Sequence, residues 1–365
     1  MMETNSNLLP GPFRSRWAGK RGSILILVIW VLSILGPFAI SIGYHVRQKI
    51  TLSDRLNQRG WLSGLAQAGI SQGVQEVLRD ENEDYDSLLE SWANNESVFY
   101  QIGSELATWT VFYDYYDDSE QAWKERYGVQ DEGSKLNLNI QSAPIMARLF
   151  QIVAEVDQEA ADEIAYSIVD WRDSDTFLKN PTYGGESDYY EDLDIPYSAK
   201  DGPLEVLDEL LLIRGMTPEI YSKIKDFVTV FGESGVNINT ASRPVLLALG
   251  LGETTVQKIF DYRAGTDRVL GTTDDRGLHS KETIAADLGA FVPINASEAG
   301  TFERLESEGY LGVSSTHFMV RSRGEAAAKK VKLEIVAVFD REGKIYFWEA
   351  GIPKRYEPKP ETMSI

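Results

Sequence analysis

The chain has no cysteine, so no disulfide framework holds it together, and an exported location is left open without being required. It is also short of positive charge. Thirty-six lysines and arginines stand against 56 aspartates and glutamates, a net charge of −20, which argues against the phosphate backbone of nucleic acid as its main partner. Histidine is scarce, with three in 365 residues. His45, His279 and His317 read as surface or packing residues, and no Ser-His-Asp set stands out. What is present, 43% hydrophobic residues, is enough for a sizeable core in two domains.

The most local absence is the most informative. Residues 23–44 carry no charged side chain, and Arg14, Arg16, Lys20 and Arg21 stand directly before them. A run of ~20 apolar residues can cross a bilayer, and the basic flank places the N-terminus in the cytoplasm and everything after Tyr44 outside. A secretory signal would put its cleavage site after the apolar core, whereas the plausible cut here, after Gly22, precedes it and leaves the helix on the mature chain. This order resembles the N-terminus of type IV pilins and type II secretion pseudopilins. The resemblance implies cleavage after Gly22 and methylation of Ser23. It has one departure: those subunits mostly carry glutamate at the fifth mature position, where this chain has Leu27. A carboxylate in lipid is tolerated when paired, in a fibre by the terminal ammonium of the subunit above, so a subunit with nothing above it needs none. An ordinary anchored protein is the alternative at this point.

Beyond the span, Leu62, Ala66, Ile70, Val74 and Leu78 recur at helical spacing, which predicts that the helix continues to about residue 79 with an apolar stripe on a globular body. Gly60, Gly64, Gly69 and Gly73 weaken that helix and Pro37 should kink it, with the acidic residues 80–84 as its solvated end. Residues 107–116 and 122–129 read as a hairpin, and 317–323, 331–339 and 344–349 as strands, all in one antiparallel sheet. The intervening residues read mostly as helix and loop. The expected fold class is therefore α+β: a long N-terminal helix on an antiparallel sheet, with a large inserted, mainly α-helical domain.

The insert contains an echo. Leu136-Asn137-Leu138-Asn139 followed by Ser142 and Pro144 returns one hundred positions later as Val236-Asn237-Ile238-Asn239 followed by Ser242 and Pro244. Each copy has the form of an extended segment feeding a helix, with serine at the N-cap and asparagines bonding nearby backbone. Residues 207–220 and 249–254 offer helix-hairpin-helix patterns. Residues 201–265 hold nine carboxylates against six lysines and arginines, a poor field for DNA, so a compact interaction fold is favoured.

Asp170-Trp171-Arg172-Asp173-Ser174-Asp175, then Gly185-Glu186-Ser187-Asp188, then Asp192, Asp194 and Asp201 gather hard oxygen donors on a loop-rich stretch. Without histidine or cysteine among them, the set suits calcium better than zinc or copper. It is not an EF-hand, because Gly184 stands where the twelfth-position glutamate would be. A solvated acidic loop is the plain alternative. A glycosidase carboxylate pair is weaker still, since nothing marks one acid as buried.

Taken in order, the leader with Leu27, the segment 131–139, Asp170-Trp171-Arg172-Asp173-Ser174-Asp175, Gly185-Glu186-Ser187-Asp188-Tyr189-Tyr190, Arg214-Gly215-Met216-Thr217-Pro218-Glu219 and Asn237-Ile238-Asn239-Thr240-Ala241-Ser242 resemble the K-type minor pseudopilins of the bacterial type II secretion system. The resemblance covers nearly the whole chain. It implies a leader at 1–22, a membrane span at 23–44, a pilin-like domain at 45–140 and 311–350, an insert at 141–310 and a tail at 351–365. It implies bound, structural calcium with Asp173, Asp175, Glu186 and Asp188 as leading ligands. Asp201 joins them less directly, because relatives often have asparagine in that turn. It implies a non-catalytic tip subunit in the inner membrane with a periplasmic body. The implied partners are the I- and J-type minor pseudopilins, the major pseudopilin, the prepilin peptidase and the inner-membrane secretion platform. The competitors are a membrane-anchored calcium-dependent hydrolase, which needs an activated water, and a DNA-binding minor pilin, which needs a basic groove. Residues 265–293 exceed the family pattern and have no functional reading.

Overall fold

The computed structural model describes residues 21–117, 122–272, 274–326 and 331–351, with residues 21–23 described by backbone alone. The leader with Arg14, Arg16 and Lys20, and the tail beyond Gly351, lie outside the described residues. The chain divides into two compact units, Met1–Arg59 and Gly60–Ile365.

The first unit is helical wherever it is described. Helix α1 (Arg21–Leu78) begins there, runs through Pro37 as helix, and exposes Leu27, Trp30, Phe38 and the rest of its apolar surface. It is long and apolar enough to cross a membrane.

In the second unit the last turns of α1 bury Leu62, Ala66, Ile70 and Val77. The expected stripe ended on Val74 and Leu78, but Leu78 is exposed and Val74 only half-buried. A 3.6-residue repeat drifts against a strict four-residue count, and the buried face has moved to Gly73 and Val77. The glycines act differently from the expectation as well. A Cβ on Gly69 would lie 2.1 Å from Ser322 Oγ and one on Gly73 2.6 Å from Val320 Cγ2, so their lack of side chain lets the helix lie close on the sheet. Gly60 and Gly64 have open space beside them.

After the short helix α2 (Glu96–Phe99), strands β1 (Ile102–Ser104) and β2 (Ala107–Val111) form an antiparallel pair. The expected hairpin of 107–116 with 122–129 is formed over its inner part alone, and apart from the main sheet. The run breaks at Phe112: β3 (Tyr113–Asp117) leaves the main sheet and pairs with β4 (Ala122–Arg126) as a separate two-stranded ribbon. Arg321 and Arg323 meet this ribbon, 3.1 Å from Asp114 and 3.1 Å from Glu125. β5 (Gln130–Asp131) returns to the main sheet.

The helical part follows: β6 (Leu136–Asn137), α3 (Ala143–Ala154), α4 (Gln158–Arg172), α5 (Ser187–Glu191), α6 (Pro218–Ile224), β7 (Val228–Thr229), β8 (Val236–Asn237), α7 (Arg243–Ala248), α8 (Glu253–Arg263), α9 (Ile284–Phe291), α10 (Ala296–Ser307) and β9 (Leu311–Gly312). The chain then closes the main sheet with β10 (His317–Ala326), β11 (Val331–Asp340) and β12 (Ile345–Gly351), in the order β1-β2-β10-β11-β12 with β5 also on β10. β10 alternates cleanly, Phe318, Val320, Ser322 and Gly324 facing inward. These strands and α1 share one core with Trp92, Phe99, Ile335 and Phe339, while Phe150, Ile168, Leu246 and Ile259 belong to a second, larger core built by the helices. Each fully buried side chain of this size contributes about 1.5–3 kcal/mol.

The echo is a structural duplication. β6 pairs in parallel with β7, and β8 in parallel with β9. The oxygen of Asn137 accepts from Asn139 N at 2.8 Å, and that of Asn237 from Asn239 N at 3.0 Å. The second asparagine of each copy then reaches far: Asn139 exchanges bonds of 2.9 and 2.8 Å with the backbone of Leu204, and Asn239 bonds of 2.8 and 2.8 Å with that of Leu278. The second helix of each copy ends in an arginine that caps the opening loop. Arg172 donates to the carbonyls of Leu138 and Gln141, and Arg263 to those of Ile238 and Ala241. Ser142 and Ser242 occupy the N-cap positions without making a side-chain cap bond. Of the two helix-hairpin-helix readings, residues 249–252 do join α7 to α8, with Gly250 at φ +90°, whereas residues 207–212 form a 3-10 turn before the Thr217-capped α6.

Candidate metal centre

Helix α4 starts at Asp157, whose carboxylate accepts from Ala160 N at 2.9 Å, and stops at Asp173, an extended residue at its C-cap. The loop that follows is tied at both ends to one acid. Asp170, fully buried in the last turn of α4, accepts from Lys179 N at 3.0 Å on one oxygen and from Gly185 N at 3.1 Å on the other. Gly184 is indispensable here: its φ is +112°, and a Cβ would fall 2.1 Å from Asp170 Oδ2. Arg214 holds the same loop from outside, bonding the Gly184 carbonyl at 2.7 Å and Glu163 of α4 at 2.8 Å. Trp171 packs edge-on to Tyr190 at 5.2 Å, which completes the floor.

Within this frame Asp173, Asp175 and Glu186 converge, one carboxylate oxygen from each lying within 4.8 Å of the others. Calcium takes oxygens at 2.3–2.6 Å, so ligands of one ion stand at most about 5 Å apart and the three fit a single cation. Glu186 is the telling member. It is 7% exposed, and neither of its carboxylate oxygens has a hydrogen-bond partner. Burial first, then the negative charge of Asp170, Asp173, Asp201 and Asp175, pushes its pKa up to about 7. The oxygens of Asp173 also lack a hydrogen bond, and Lys179 Nζ lies 3.2 Å from Asp173 Oδ2 and 2.8 Å from Asp175 Oδ2. That half-exposed ammonium offsets part of the negative charge of the two aspartates. A buried, unpaired carboxylate beside two more costs several kcal/mol unless a cation neutralises it. All donors are hard oxygens, as calcium requires.

Asp188 lies in the first turn of α5 and is exposed, outside the group of three. Asp201 is exposed in a left-handed turn, φ +52°, a conformation that aspartate and asparagine share more readily than other side chains, and its charge reaches Glu186. The sequence counted Asp170 only among the oxygen donors, and gave Lys179 and Arg214 no part in the site. The paired glycines 184 and 185 were the available sign of a close approach.

Residues 129–233 match the family model "Type II secretion system (T2SS), protein K". The curated type II secretion system protein K of Aeromonas hydrophila is 24% identical over 349 residues, 89% of this chain and 94% of its own length. That of Pseudomonas aeruginosa is 26% identical over 254 residues, 63% of this chain and 68% of its own. The chain is thus similar to type II secretion system protein K along most of its length. A chain of the GspK-GspI-GspJ complex from the type 2 secretion system of enterotoxigenic Escherichia coli shares its fold, with a TM-score of 0.57 at 18% identity over 83% of this chain and 99% of that one. The long helix, the antiparallel sheet and the helical domain are thus a fold this chain shares with that one, and the matched segment 129–233 contains the whole carboxylate cluster.

Proposed function

We propose that the chain is the minor pseudopilin at the tip of a type II secretion pseudopilus, where it initiates and caps the fibre that drives protein export across the outer membrane. One observation carries this reading. A helical body with its own core is inserted between β5 and β10 of a pilin-like sheet, on a chain whose membrane helix lacks the fifth-position acid. Subunits of a pseudopilus stack through their long helices, and a body of this bulk collides with anything placed above it. The subunit can therefore begin a fibre and cannot sit inside one. Side-by-side packing of the membrane helices lets it assemble with I- and J-type minor pseudopilins first, and the major pseudopilin then adds from below on the inner-membrane platform. The partner chains in the related Escherichia coli complex support that pairing.

In this reading the prepilin peptidase cuts after Gly22 and Ser23 becomes the methylated N-terminus, with the helix in the inner membrane and the body in the periplasm. Asp173, Asp175 and Glu186 hold calcium, with Asp201 and Asp188 at its margin. Bound calcium supplies the positive charge that draws these carboxylates together; Asp170, Gly184 and Arg214 shape the loop that presents them. The role is structural, not catalytic. The test is a mass spectrum of the chain from cells that contain the peptidase, joined to co-purification with the I- and J-type subunits. A chain starting at Ser23 that carries both is expected; an intact leader and no association would reject the reading.

A further inference from the structure

Directly after the uncharged span, residues 45–59 carry Arg47, Lys49, Arg55 and Arg59 against the single acid Asp54, in a chain whose net charge is −20. All four basic side chains are exposed, and none is in an ion pair among the described residues. At 1.5 Å per residue, Arg47 and Lys49 stand about 5 and 8 Å beyond Tyr44 along the helix. The headgroup layer on each side of a bilayer is about 5–8 Å thick, so these two lie within it. Arg55 and Arg59 stand about 17 and 23 Å out. Their attraction to the surface falls off over a screening length of about 8 Å.

The angular placement says which kind of partner fits. At about 100° per residue, Arg47 and Lys49 project about 160° apart, from opposite sides of the helix. A neighbouring protein helix reads one face, whereas headgroups surround a helix on every side. We propose that Arg47 and Lys49 form a cationic collar that binds the anionic phospholipid headgroups of the leaflet into which α1 emerges, with Arg55 and Arg59 adding weak attraction from outside it. The proposal rests on the membrane-spanning reading of α1 and extends it. Once the leader is removed, Arg14, Arg16, Lys20 and Arg21 go with it, and the collar holds the basic side chains that still flank the span. It then resists withdrawal of the helix from the bilayer, and so holds the first subunit in the membrane until subunits added below lift it out.

The test uses the full chain in a neutral detergent with equal amounts of phosphatidylglycerol and phosphatidylcholine of matched chain length, the bound lipids being counted by native mass spectrometry. The leader's basic residues are common to all variants, so differences isolate the collar. Two basic groups near an anionic surface predict that Arg47→Gln with Lys49→Gln lowers the preference for phosphatidylglycerol about thirtyfold. The charge-preserving pair Arg47→Lys with Lys49→Arg should keep it, as should Arg79→Gln, and excess inorganic phosphate should not displace the lipid. A double variant that keeps the wild-type preference overturns the collar, as does displacement by inorganic phosphate, which would mark a free-anion site. Either result leaves the tip assignment standing, because that rests on processing and association.

Discussion

Replacing Glu186 with glutamine should stabilise the protein in chelator and weaken its response to calcium. Without a cation, the Glu186 carboxyl is raised from 4.5 in a free chain to about 7 by burial and by its acidic neighbours. A carboxyl whose folded pKa lies above its unfolded one helps the fold while it stays protonated and loses that help as pH rises through the folded value. At 1.36 kcal/mol per pH unit, ionising Glu186 at pH 7.5 therefore costs the metal-free protein up to ~3 kcal/mol, and Glu186→Gln removes that cost. With calcium at a hundredfold excess over its Kd, the wild type gains about 2.7 kcal/mol. The variant, one carboxylate short, gains less. Thermal unfolding of the chain in detergent at pH 5 and 7.5, with chelator and with calcium, reads all four quantities. In chelator, both proteins should lose stability between about pH 4.5 and 7, because Asp86 and Glu90 are raised to about 7 as well, and the variant should lose about 3 kcal/mol less. Equal calcium-induced shifts in the two proteins, or a variant destabilised in chelator, would refute the argument.

Hydrogen exchange should show chelation loosening residues 171–201 while β10–β12 stay protected, because only the acidic loop depends on a cation to offset its repulsion; equal exchange in both regions with and without chelator counts against a metal site. Gly324→Val should destabilise the body by about 1–3 kcal/mol or more, since a Cβ there meets the Leu62 carbonyl at 2.6 Å and Ala66 N at 3.0 Å, backbone that cannot yield; chemical denaturation checks it. Asn139→Ala and Asn239→Ala should cost similar amounts, each at least about 2 kcal/mol, because each leaves a distant backbone N–H and carbonyl unsatisfied. A large cost for one and none for the other would show that the two copies do not bear load alike.

Features set by local periodicity were legible in the sequence. The helix through residue 78, the three C-terminal strands and the hundred-residue echo all follow from spacing, and each is in the structure with small shifts. What escaped depends on distant partners. Nothing near Phe112 announces that one run will split between two sheets, because the partners of its two halves, β10 with Arg321 and Arg323 among them, lie far along the chain or in a separate strand. The asparagines were read as local turn-makers, and the first of each pair does accept from the N–H two residues on. Most of their bonds reach further, among them those to the backbone of Leu204 and Leu278, contacts that only the folded chain creates. At the acidic loop, residue type pointed to oxygen chemistry. Sequence could not tell that Asp170 would serve as a staple through two backbone N–H groups, or that Asp188 would point to solvent while Glu186 is buried without a partner.

The tip position is tested most directly by cross-linking from the membrane helix. Because the chain has no cysteine, Leu27→Cys creates a unique thiol at the position where shaft subunits carry their acid. In cells assembling pseudopili, a bifunctional thiol reagent should join this residue to cysteines placed in the I- and J-type or major subunits, in products that contain one copy of this chain. A ladder of products containing two, three or more copies of this chain would place it along the shaft and contradict the capping account.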